Sequence, residues 1–352
     1  MAEPRTVVIT GASRGLGLAT AIRFYQQGWR VVAAMRSLDT GLAALRAAAG
    51  ATADDPRLIG IQLDLVDRAS VDTAAKAIEA AVGAPDALVH NAGIAAAGSV
   101  EELPRDVWEQ IFCTHLFGPV ALTQALLPAM RAAGRGRIVM ISSQGGVRGM
   151  PEIAAYSAAK GALERWAESL AGEVAPFGLG VTVLVAGTFD TDIITDNGVK
   201  DYRDFTGPYA RHHATIDRRG RFAMRFAAPP DRFATRLTKA VEDKAPFARH
   251  AVGIDARMLL ISNRLLPTLV LHQLTRLAMG IPRPGALRDG SAAAGALSLR
   301  QRTMLLAARV LPAPVVQRAA PLAMRFSRHR PADGMAAPVG DNPPTEESEN
   351  DG

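Results

Sequence analysis

The stretch that decides the fold is Thr10-Gly11-Ala12-Ser13-Arg14-Gly15-Leu16-Gly17. An apolar run at residues 7–9 precedes it and a helix-like run follows it, so the order is strand, glycine turn, helix. The glycines permit a tight turn, a close approach of the backbone to a pyrophosphate, and packing of the helix on the strand. The amides and dipole of the helix N-terminus favour negative charge at that point. The stretch therefore indicates a dinucleotide site, with a plain structural turn as the alternative.

Strand-like and helix-like runs alternate from the start of the chain, which favours a parallel sheet covered on both faces. We predict an α/β fold: a Rossmann-type doubly wound sheet of about seven strands in three αβα layers. The predicted strands are Thr6–Thr10, Arg30–Met35, Leu58–Leu63, Ala87–His90, Arg137–Ser142, Gly180–Val185 and Arg249–Val252. The predicted helices are Leu16–Gln27, Leu38–Ala48, Ser70–Val82, Pro104–Arg131, Ala155–Ala175 and Pro230–Lys244.

The C-terminal third differs in composition from the rest, and we divide the chain into three parts. Residues 1–255 form the predicted dinucleotide-binding domain, 256–330 an arginine-rich amphipathic helical extension, and 331–352 an acidic tail that we expect to be disordered. Within the extension, Pro267 is expected to kink or split a helix. Such a basic amphipathic segment lies at a membrane interface, caps a core or forms an oligomer contact, and these alternatives stay open.

Charge and cysteine content narrow the function classes. The formal net charge of +6 belongs to the C-terminal third, where arginines are interleaved with leucines and aromatic stacking residues are lacking. We therefore expect no nucleic-acid partner. A single cysteine, Cys113, excludes an internal disulfide and a cysteine metal cluster, and we predict no metal. Residues 1–10 are typical of a strand rather than a signal peptide, and no apolar run reaches the ~18 residues of a spanning helix.

A phenol and an ammonium share one helix face in Tyr156-Ser157-Ala158-Ala159-Lys160. The ammonium favours the phenolate, so we expect it to lower the tyrosine pKa from about 10 toward the working range of an acid/base group. On its own, such a pair is also common on an ordinary half-exposed helix. Ser143 follows an apolar strand thirteen residues earlier, where a hydroxyl can stabilise charge on a substrate oxygen or merely form a turn.

The motifs together resemble the short-chain dehydrogenase/reductase family over roughly residues 4–255. The glycine stretch, the turn His90-Asn91-Ala92-Gly93, Ser143, and the pair Tyr156 and Lys160 occur in the family's order and spacing. The resemblance implies that Tyr156 is the general acid/base and that Lys160 lowers its pKa and holds the nicotinamide ribose. It also implies that Ser143 orients the substrate carbonyl.

The same resemblance assigns roles around the cofactor. Residues 91–93 would line the adenine-ribose side and support the sheet, and Asp64 would contact the adenine, although a loop cap is the alternative for that carboxylate. Gly187, Thr188 and Thr191 match the segment that closes over the nicotinamide amide, and Ala186 stands where the family usually has proline.

His115 is a departure from the family pattern. Alignment on Gly118 and on Leu127-Pro128 puts His115 where the family usually has a catalytic asparagine that helps to hold a water, partly through its main chain. We count His115 among the catalytic residues, because a histidine can preserve the main-chain role or act in a proton relay. A structural histidine and a slower or degenerate enzyme are the alternatives.

The end of the second strand predicts the cofactor. It reads Met35-Arg36-Ser37, without the carboxylate that NAD enzymes tend to place there. Arg36 can pair with a 2′-phosphate and Arg14 adds a second positive charge, so we predict NADP(H). The predicted cofactor-binding residues are Gly11, Ser13, Arg14, Gly15, Leu16, Gly17, Arg36, Asp64, Asn91, Ala92, Gly93, Tyr156, Lys160, Gly187, Thr188 and Thr191.

The predicted function is that of an NADP(H)-dependent oxidoreductase that interconverts a carbonyl and a primary or secondary alcohol. The polar, weakly periodic segment Thr188–Ala228 is expected to be a lid over the substrate, or a surface insertion. The lid and the apolar, basic C-terminal region favour a lipophilic substrate: a steroid, a retinoid-like compound or a long-chain lipid.

The expected surroundings of the protein follow from the same features. The resemblance implies a homodimer or homotetramer. We expect a cytoplasmic protein, either free or peripheral at the inner face of a membrane. The alternative function is an NADP-binding regulatory or scaffolding protein at a membrane, with its catalysis weakened by His115.

Overall fold

A computed structural model of the chain describes residues 3–191 and 199–287. The strands of that part are β1 (Thr6–Thr10), β2 (Arg30–Met35), β3 (Leu58–Gln62), β4 (Ala87–His90), β5 (Ala95–Ala97), β6 (Gly136–Ser143), β7 (Leu179–Ala186), β8 (Val199–Asp201) and β9 (Phe247–Val252). The helices are α1 (Gly15–Gln26), α2 (Leu38–Ala49), α3 (Arg68–Val82), α4 (Arg105–Phe112), α5 (Gly118–Ala133), α6 (Gln144–Val147), α7 (Ala154–Val174), α8 (Ala210–Met224), α9 (Pro230–Ala240), α10 (Ile254–Leu265) and α11 (Thr268–Met279).

Seven parallel strands form the central sheet in the order β3-β2-β1-β4-β6-β7-β9. The order reverses direction between β1 and β4, as in a doubly wound fold, and it places a crevice above that point. The predicted Rossmann-type α/β fold of about seven strands is therefore confirmed. Every predicted strand of this sheet agrees with the observed one to within two residues at each end.

Helices cover both faces of the sheet, because alternate residues of the buried strands point to opposite sides. Val8 and Leu88 belong to a core closed by α3, α5 and α7, whereas Val7 and Ile9 belong to a core closed by α1, α2 and α9. These two cores give the three αβα layers. The carboxyl ends of the strands are left free to build a site.

A single long helical run, Arg105–Ala133, contains α4, a π-helical turn and α5. By length and composition it is apolar enough to cross a membrane, but half of its most apolar window is buried within the fold. Leu122 and Leu126 of α5 pack in the core beneath the sheet, which accounts for the apolar sequence.

Two predicted regions differ from the observed structure. The helix predicted to reach Lys244 ends at Ala240, because the buried guanidinium of Arg137 donates hydrogen bonds to the carbonyls of Asp243 and Ala245. Within Thr188–Ala228 the structure has strand β8, which pairs with β5, and helix α8. Helix α8 was not predicted since only two of its residues, His213 and Ile216, are buried. Residues 192–198 of the expected lid lie outside the described residues, and the lid stays a prediction.

Helices α10 and α11 follow the last strand. They are separated at Leu266 and Pro267, so the expected split of this segment at the proline is confirmed. The division of the chain at residue 255 stays a prediction. The rest of the predicted extension, 288–330, and the predicted acidic tail, 331–352, lie outside the described residues.

Candidate active site

A cavity of about 570 Å³ lies at the carboxyl ends of the central strands. The structure brings into its lining every residue predicted for the site except Thr188. Those residues are Gly11, Ser13, Arg14, Gly15, Leu16, Gly17, Arg36, Asp64, Asn91, Ala92, Gly93, His115, Ser143, Tyr156, Lys160, Gly187 and Thr191.

The glycine turn after β1 has no room for a side chain at Gly11 or Gly17. A Cβ on Gly17 would lie 2.1 Å from the carbonyl oxygen of Gly11, and a Cβ on Gly11, whose φ is +68°, would lie 2.8 Å from Cα of Ala92. Arg14, the residue before α1, makes no side-chain cap, so the first amides of the helix remain available to an anion. This cradle fits the pyrophosphate of a dinucleotide.

Asn91 holds the glycine turn against the end of β4. Its Nδ2 donates to the carbonyl oxygens of Thr10 at 3.0 Å and of Gly11 at 3.2 Å. In return, Oγ1 of Thr10 accepts hydrogen bonds from the backbone N–H groups of Asn91 and Ala92, both at 3.1 Å. The contribution of Asn91 in this structure is therefore to fix the shape of the phosphate cradle.

The candidate catalytic side chains come from β6 and α7. Ser143 ends β6, and Tyr156 and Lys160 stand one turn apart on α7. Nζ of Lys160 donates to the carbonyl oxygen of Ile141 at 2.6 Å, which anchors the buried ammonium under the cavity. The structure thus collects a phenol, a hydroxyl and an ammonium at one wall of the cavity.

The protonation of these groups differs from the prediction. Burial raises the pKa of Tyr156 above its usual 10, and a hydrogen bond with Ser143 opposes that rise. Burial also lowers the pKa of Lys160 to about 7, and the Glu164 carboxylate opposes that fall. The net pKa of Tyr156 is therefore raised rather than lowered toward the working range as predicted, because desolvation of the phenol outweighs its hydrogen bond. The separate contribution of Lys160 to this pKa stays a prediction.

Glu164 is a buried acid that the sequence analysis missed. It lies one turn beyond Lys160 on α7, accepts a hydrogen bond from Oγ of Ser142 at 2.6 Å, and pairs with the guanidinium of Arg249. Its spacing of four residues from Lys160 was a signal in the sequence, but its burial depends on β6 and β9. We interpret Glu164 as the counter-charge that favours the protonated form of Lys160.

Replacing Glu164 with glutamine is expected to move the Lys160 pKa below its present value of about 7. The amide keeps the volume of the side chain and can still accept from Ser142, but it removes the negative charge that favours the ammonium. An NMR titration of the Lys160 side chain measures the shift. A Glu168→Gln variant, one turn further along α7 on an exposed ion pair, is the matched control and should leave the titration unchanged. An unchanged Lys160 titration in Glu164→Gln would contradict the interpretation.

His115 lies in the π-helical turn Cys113–Phe117 between α4 and α5, and its side chain reaches the cavity. Its Nε2 is 2.8 Å from the carbonyl oxygen and 3.2 Å from the nitrogen of Ile94, and its ring meets that of Tyr156 edge to face at 5.2 Å. Burial and the charge of Lys160 hold the His115 pKa well below 6.5, so the imidazole is neutral. Its position is compatible with a structural role and with a neutral relay, and its catalytic role stays a prediction.

Thr188 does not line the cavity, because its backbone is held by Asp255. The Thr188 N–H donates to Oδ2 of Asp255 at 2.7 Å, and Nε2 of Gln144 donates to the same oxygen at 2.8 Å. A Cβ on Gly187 would lie 2.0 Å from Oδ1 of Asp255. The first turn of α10 therefore holds the loop after β7 in place. Sequence reasoning missed Asp255 because its partners are distant in the chain.

The cavity also has an apolar part that was not predicted. Its walls include Ile94, Ala95, Ile153 and Phe189. These residues lie in loops and in the short strand β5, where no periodic pattern marks them.

Comparisons with known proteins agree with this architecture. A family model described as short chain dehydrogenase matches residues 5–201. The 3-ketodihydrosphingosine reductase of Bacteroides thetaiotaomicron is 30% identical over 266 residues, which cover 74% of this chain and 93% of that protein. A short-chain dehydrogenase from Streptomyces avermitilis has a crystal structure that superposes with a TM-score of 0.68 at 32% identity, covering 80% of this chain and all of that chain (100%).

Two further solved structures carry a cofactor. One is a short chain dehydrogenase/reductase from Burkholderia phymatum in complex with NAD, with a TM-score of 0.62 and 25% identity over 75% of this chain and 92% of that chain. The other is a metagenomic short-chain oxidoreductase in complex with NADP, with a TM-score of 0.55 and 26% identity over 70% of this chain and 96% of that chain. The likeness therefore extends to proteins that bind either nicotinamide dinucleotide.

Proposed function

The chain belongs to the short-chain dehydrogenase family of oxidoreductases, and from that premise we propose that it interconverts a carbonyl and an alcohol on a lipophilic substrate with NADP(H). The observation that carries the proposal is the shared cavity. Its lining contains both the phosphate cradle after β1 and the group of Ser143, Tyr156 and Lys160. A cofactor in the cradle and a substrate against these side chains would therefore share one space.

The roles of the side chains follow from their protonation states. When bound, the cofactor supplies or accepts the hydride. Because burial keeps the Tyr156 pKa high, its Oη holds a proton at neutral pH and donates it to a carbonyl oxygen during reduction. Ser143 donates a second hydrogen bond that orients the same oxygen. Lys160 would hold the ribose, and its charge stabilises the phenolate that the transfer leaves behind.

NADP(H) is the proposed cofactor because of the positive charge at the end of β2. Arg36 is exposed and lines the cavity directly after that strand, and Arg14 lines it from the glycine turn. Guanidinium groups bind phosphate through two parallel hydrogen bonds, which suits the 2′-phosphate that distinguishes NADP from NAD.

A lipophilic ketone or aldehyde, or the matching alcohol, is the proposed substrate. The apolar walls formed by Ile94, Ile153 and Phe189 support this choice, because burial of apolar surface contributes about 25 cal/mol per Å². The Bacteroides thetaiotaomicron relative is named for the reduction of 3-ketodihydrosphingosine, a lipid ketone. We extend from that name only the chemical class, a keto group on a long-chain lipid, with steroids and retinoid-like compounds as neighbouring candidates.

An NADPH-oxidation screen tests the proposal. The panel holds long-chain keto lipids, steroid ketones, retinoid-like aldehydes and short ketones, and we expect turnover of at least one of the long-chain compounds. If the screen shows no turnover, a separate measurement of NADPH binding by fluorescence or calorimetry tells whether the protein still binds the cofactor. Binding of NADPH without turnover of any carbonyl would favour the regulatory or scaffolding alternative, and turnover of short ketones alone would contradict the lipophilic substrate.

A second proposal is that α10 attaches the protein to a membrane surface. Ile254, Met258, Ile261 and Leu265 lie on one face of this helix at spacings of four, three and four residues, and each is at least half exposed. Arg257 and Arg264 are exposed beside this face, as in helices that bind anionic lipids. We accordingly propose a cytoplasmic protein that is peripheral at the inner face of a membrane.

Replacing Leu265 with glutamate is expected to lower binding to anionic vesicles by at least tenfold. Leu265 is 72% exposed, and transfer of a leucine side chain out of water is worth about 1.5–3 kcal/mol, which the charged residue would forfeit. Flotation of the full chain with phosphatidylserine-containing vesicles measures it. The control is Val100→Glu, since Val100 is 66% exposed in the loop before α4. Equal flotation of both variants would reject α10 as the membrane contact.

The proposed assembly is a homodimer or homotetramer. Phe117, which is 59% exposed in the π-helical turn, is an apolar surface that a second copy would cover. Light scattering on the purified protein measures the mass, and a monomeric mass would contradict the proposal.

A further inference from the structure

A buried cluster of an imidazole and two carboxylates lies outside the residues that line the cavity. His213 of α8 is fully buried, and its Nδ1 is 2.7 Å from Oε1 of Glu152 while its Nε2 is 2.8 Å from Oε1 of Glu102. An ionised carboxylate only accepts hydrogen bonds, so both ring nitrogens must donate. Where both carboxylates are ionised, this geometry therefore requires the protonated imidazolium at His213.

The cluster joins three separate parts of the fold. Glu102 lies in the loop between β5 and α4, Glu152 in the loop before α7, and His213 near the start of α8. Glu102 also accepts from the backbone N–H groups of Ser99 at 2.7 Å and Asp204 at 3.1 Å. Its carboxylate thus ties the chain that follows β8 to the loop after β5.

Glu152 has an unusual backbone. It is the only non-glycine residue with a positive φ, +66°, among the described residues, a conformation that is strained for a residue with a side chain. Its carbonyl oxygen accepts from the N–H of Gly98 at 2.8 Å. The surrounding contacts therefore impose this conformation.

The cluster is close to the cavity along the chain. Ile153 follows Glu152 directly and lines the cavity, and Tyr156 is the fourth residue after Glu152. Ala95 of β5, the strand that pairs with β8, lines the cavity as well. A shift of α8 relative to these loops would therefore move part of the apolar wall.

Other charged and aromatic groups surround the imidazole. The Arg203 guanidinium is 3.6 Å from Glu152, 3.7 Å from Asp217 of α8 and 2.6 Å from Asp201. The rings of His212, Tyr209 and Phe205 have their centroids 6.4, 6.0 and 5.6 Å from that of His213. Two further carboxylates lie near the cluster: Glu101 faces Tyr209, and Asp204 faces Glu102. Carboxylates outnumber the cations here, so a proton on His213 is favoured electrostatically.

The titration of the cluster agrees with its geometry. Burial alone lowers the pKa of His213, but the hydrogen bonds to Glu152 and Glu102 outweigh it and raise the pKa above 6.5. Burial likewise raises the pKa of Glu102, yet its hydrogen bonds from His213 and the backbone bring it down to about 2. Glu102 is therefore ionised at neutral pH, and the protonated form of His213 is favoured.

We infer that His213 is a positioning residue for the reaction proposed above, and that its imidazolium fixes α8 to the loops of Glu102 and Glu152 and thereby shapes the apolar substrate wall. The effect of His213 on substrate binding rests on the proposed function. The tie between α8 and the two loops is a property of the fold that can be measured without a substrate.

The pH dependence has a definite sign. The pKa of His213 is raised in the folded protein, so its stabilising contribution is complete below the unfolded value of about 6.5 and is lost as the pH rises through the folded value. Above that pH the imidazole can donate from only one nitrogen, and one of the two carboxylates loses its hydrogen bond from His213. We expect α8 to open more often and KM to rise, while kcat changes little.

Hydrogen exchange of residues 199–224 in the full chain, corrected for the intrinsic pH dependence of exchange, tests the tie. We expect protection in the wild type to fall by about tenfold as His213 deprotonates, and His213→Gln to show the low protection at every pH. His250→Gln is the matched control, because His250 also pairs with an acid, Asp243 at 2.8 Å, at a half-exposed position outside the cavity lining. The wild-type pH series uses no variant, so it still tests the inference if His213→Gln does not fold.

The possible outcomes distinguish a failure of the inference about His213 from a failure of the proposed function. A several-fold rise of KM in His213→Gln, at a pH where wild-type KM is low and with kcat nearly unchanged, supports the positioning role. Active enzyme with an unchanged KM, or equal protection in the wild type and His213→Gln, overturns the inference alone. No turnover in the wild type overturns the proposed function and the positioning role together.

Discussion

Replacing Tyr156 with phenylalanine is expected to lower kcat for carbonyl reduction by about 10²–10⁴-fold, the usual contribution of a general acid. The variant removes one oxygen and keeps the ring, so the edge-to-face contact with His115 at 5.2 Å can persist. Without the phenol, the wall formed with Ser143 and Lys160 loses the general acid that we propose. NADPH should still bind, because the phosphate cradle after β1 is untouched.

The matched control is Tyr25→Phe. Tyr25 is also a largely buried tyrosine, and its hydroxyl donates to Oδ2 of Asp55 at 2.5 Å on the outer side of α1. Losing that bond should lower the free energy of unfolding and leave kcat unchanged. Steady-state kinetics on both variants decide the matter. A Tyr156→Phe enzyme that keeps more than about a tenth of wild-type kcat would place the proton donor elsewhere.

The high pKa of Tyr156 also affects which direction of the reaction, reduction or oxidation, is favoured at neutral pH. A phenol that stays protonated at neutral pH is ready to donate, which suits reduction, whereas oxidation of an alcohol needs the phenolate. We therefore expect the oxidation rate to rise toward alkaline pH more steeply than the reduction rate falls.

The fold was predictable because its signals are local. The strand-turn-helix order at residues 6–26 and the alternation after it fix the parallel sheet, and every predicted strand was found. The site residues after β4, β6 and β7 were also predictable, since motif spacing places them at the same edge of the sheet. In this part of the chain, secondary structure and chemistry are both encoded over short distances.

The remainder depends on contacts between distant residues. Glu102 and His213 are 111 residues apart in the chain, and Asp255 holds Thr188 across 67 residues, so no local pattern reveals either contact. Helix α8 escaped prediction for a related reason, because its buried side is built around His213 rather than around an apolar stripe. The predicted direction of the Tyr156 pKa shift was wrong, because the desolvation that raises this pKa arises only in the assembled cavity.

Replacing Arg36 with aspartate is expected to lower the ratio of kcat/KM for NADPH to that for NADH by about 100-fold or more. Hydrogen bonds to a charged group contribute about 1.5–3 kcal/mol, and each 1.4 kcal/mol is a factor of ten. Loss of the guanidinium therefore accounts for about 10–150-fold, and repulsion between the new carboxylate and a 2′-phosphate adds to it. The carboxylate can in turn accept from the ribose hydroxyls of NADH, as acids at the end of the second strand do in NAD enzymes.

Arg23→Asp is the control for this charge reversal. Arg23 is exposed on α1 and does not line the cavity, so it changes the net charge by the same amount without touching the cofactor space. If both variants alter the NADPH/NADH ratio equally, the effect is long-range and the site assignment fails. If Arg36→Asp leaves the ratio unchanged, the 2′-phosphate is bound elsewhere or not at all. A shift confined to Arg36→Asp locates cofactor choice in the one residue that follows β2, which is where the sheet edge and the phosphate cradle meet.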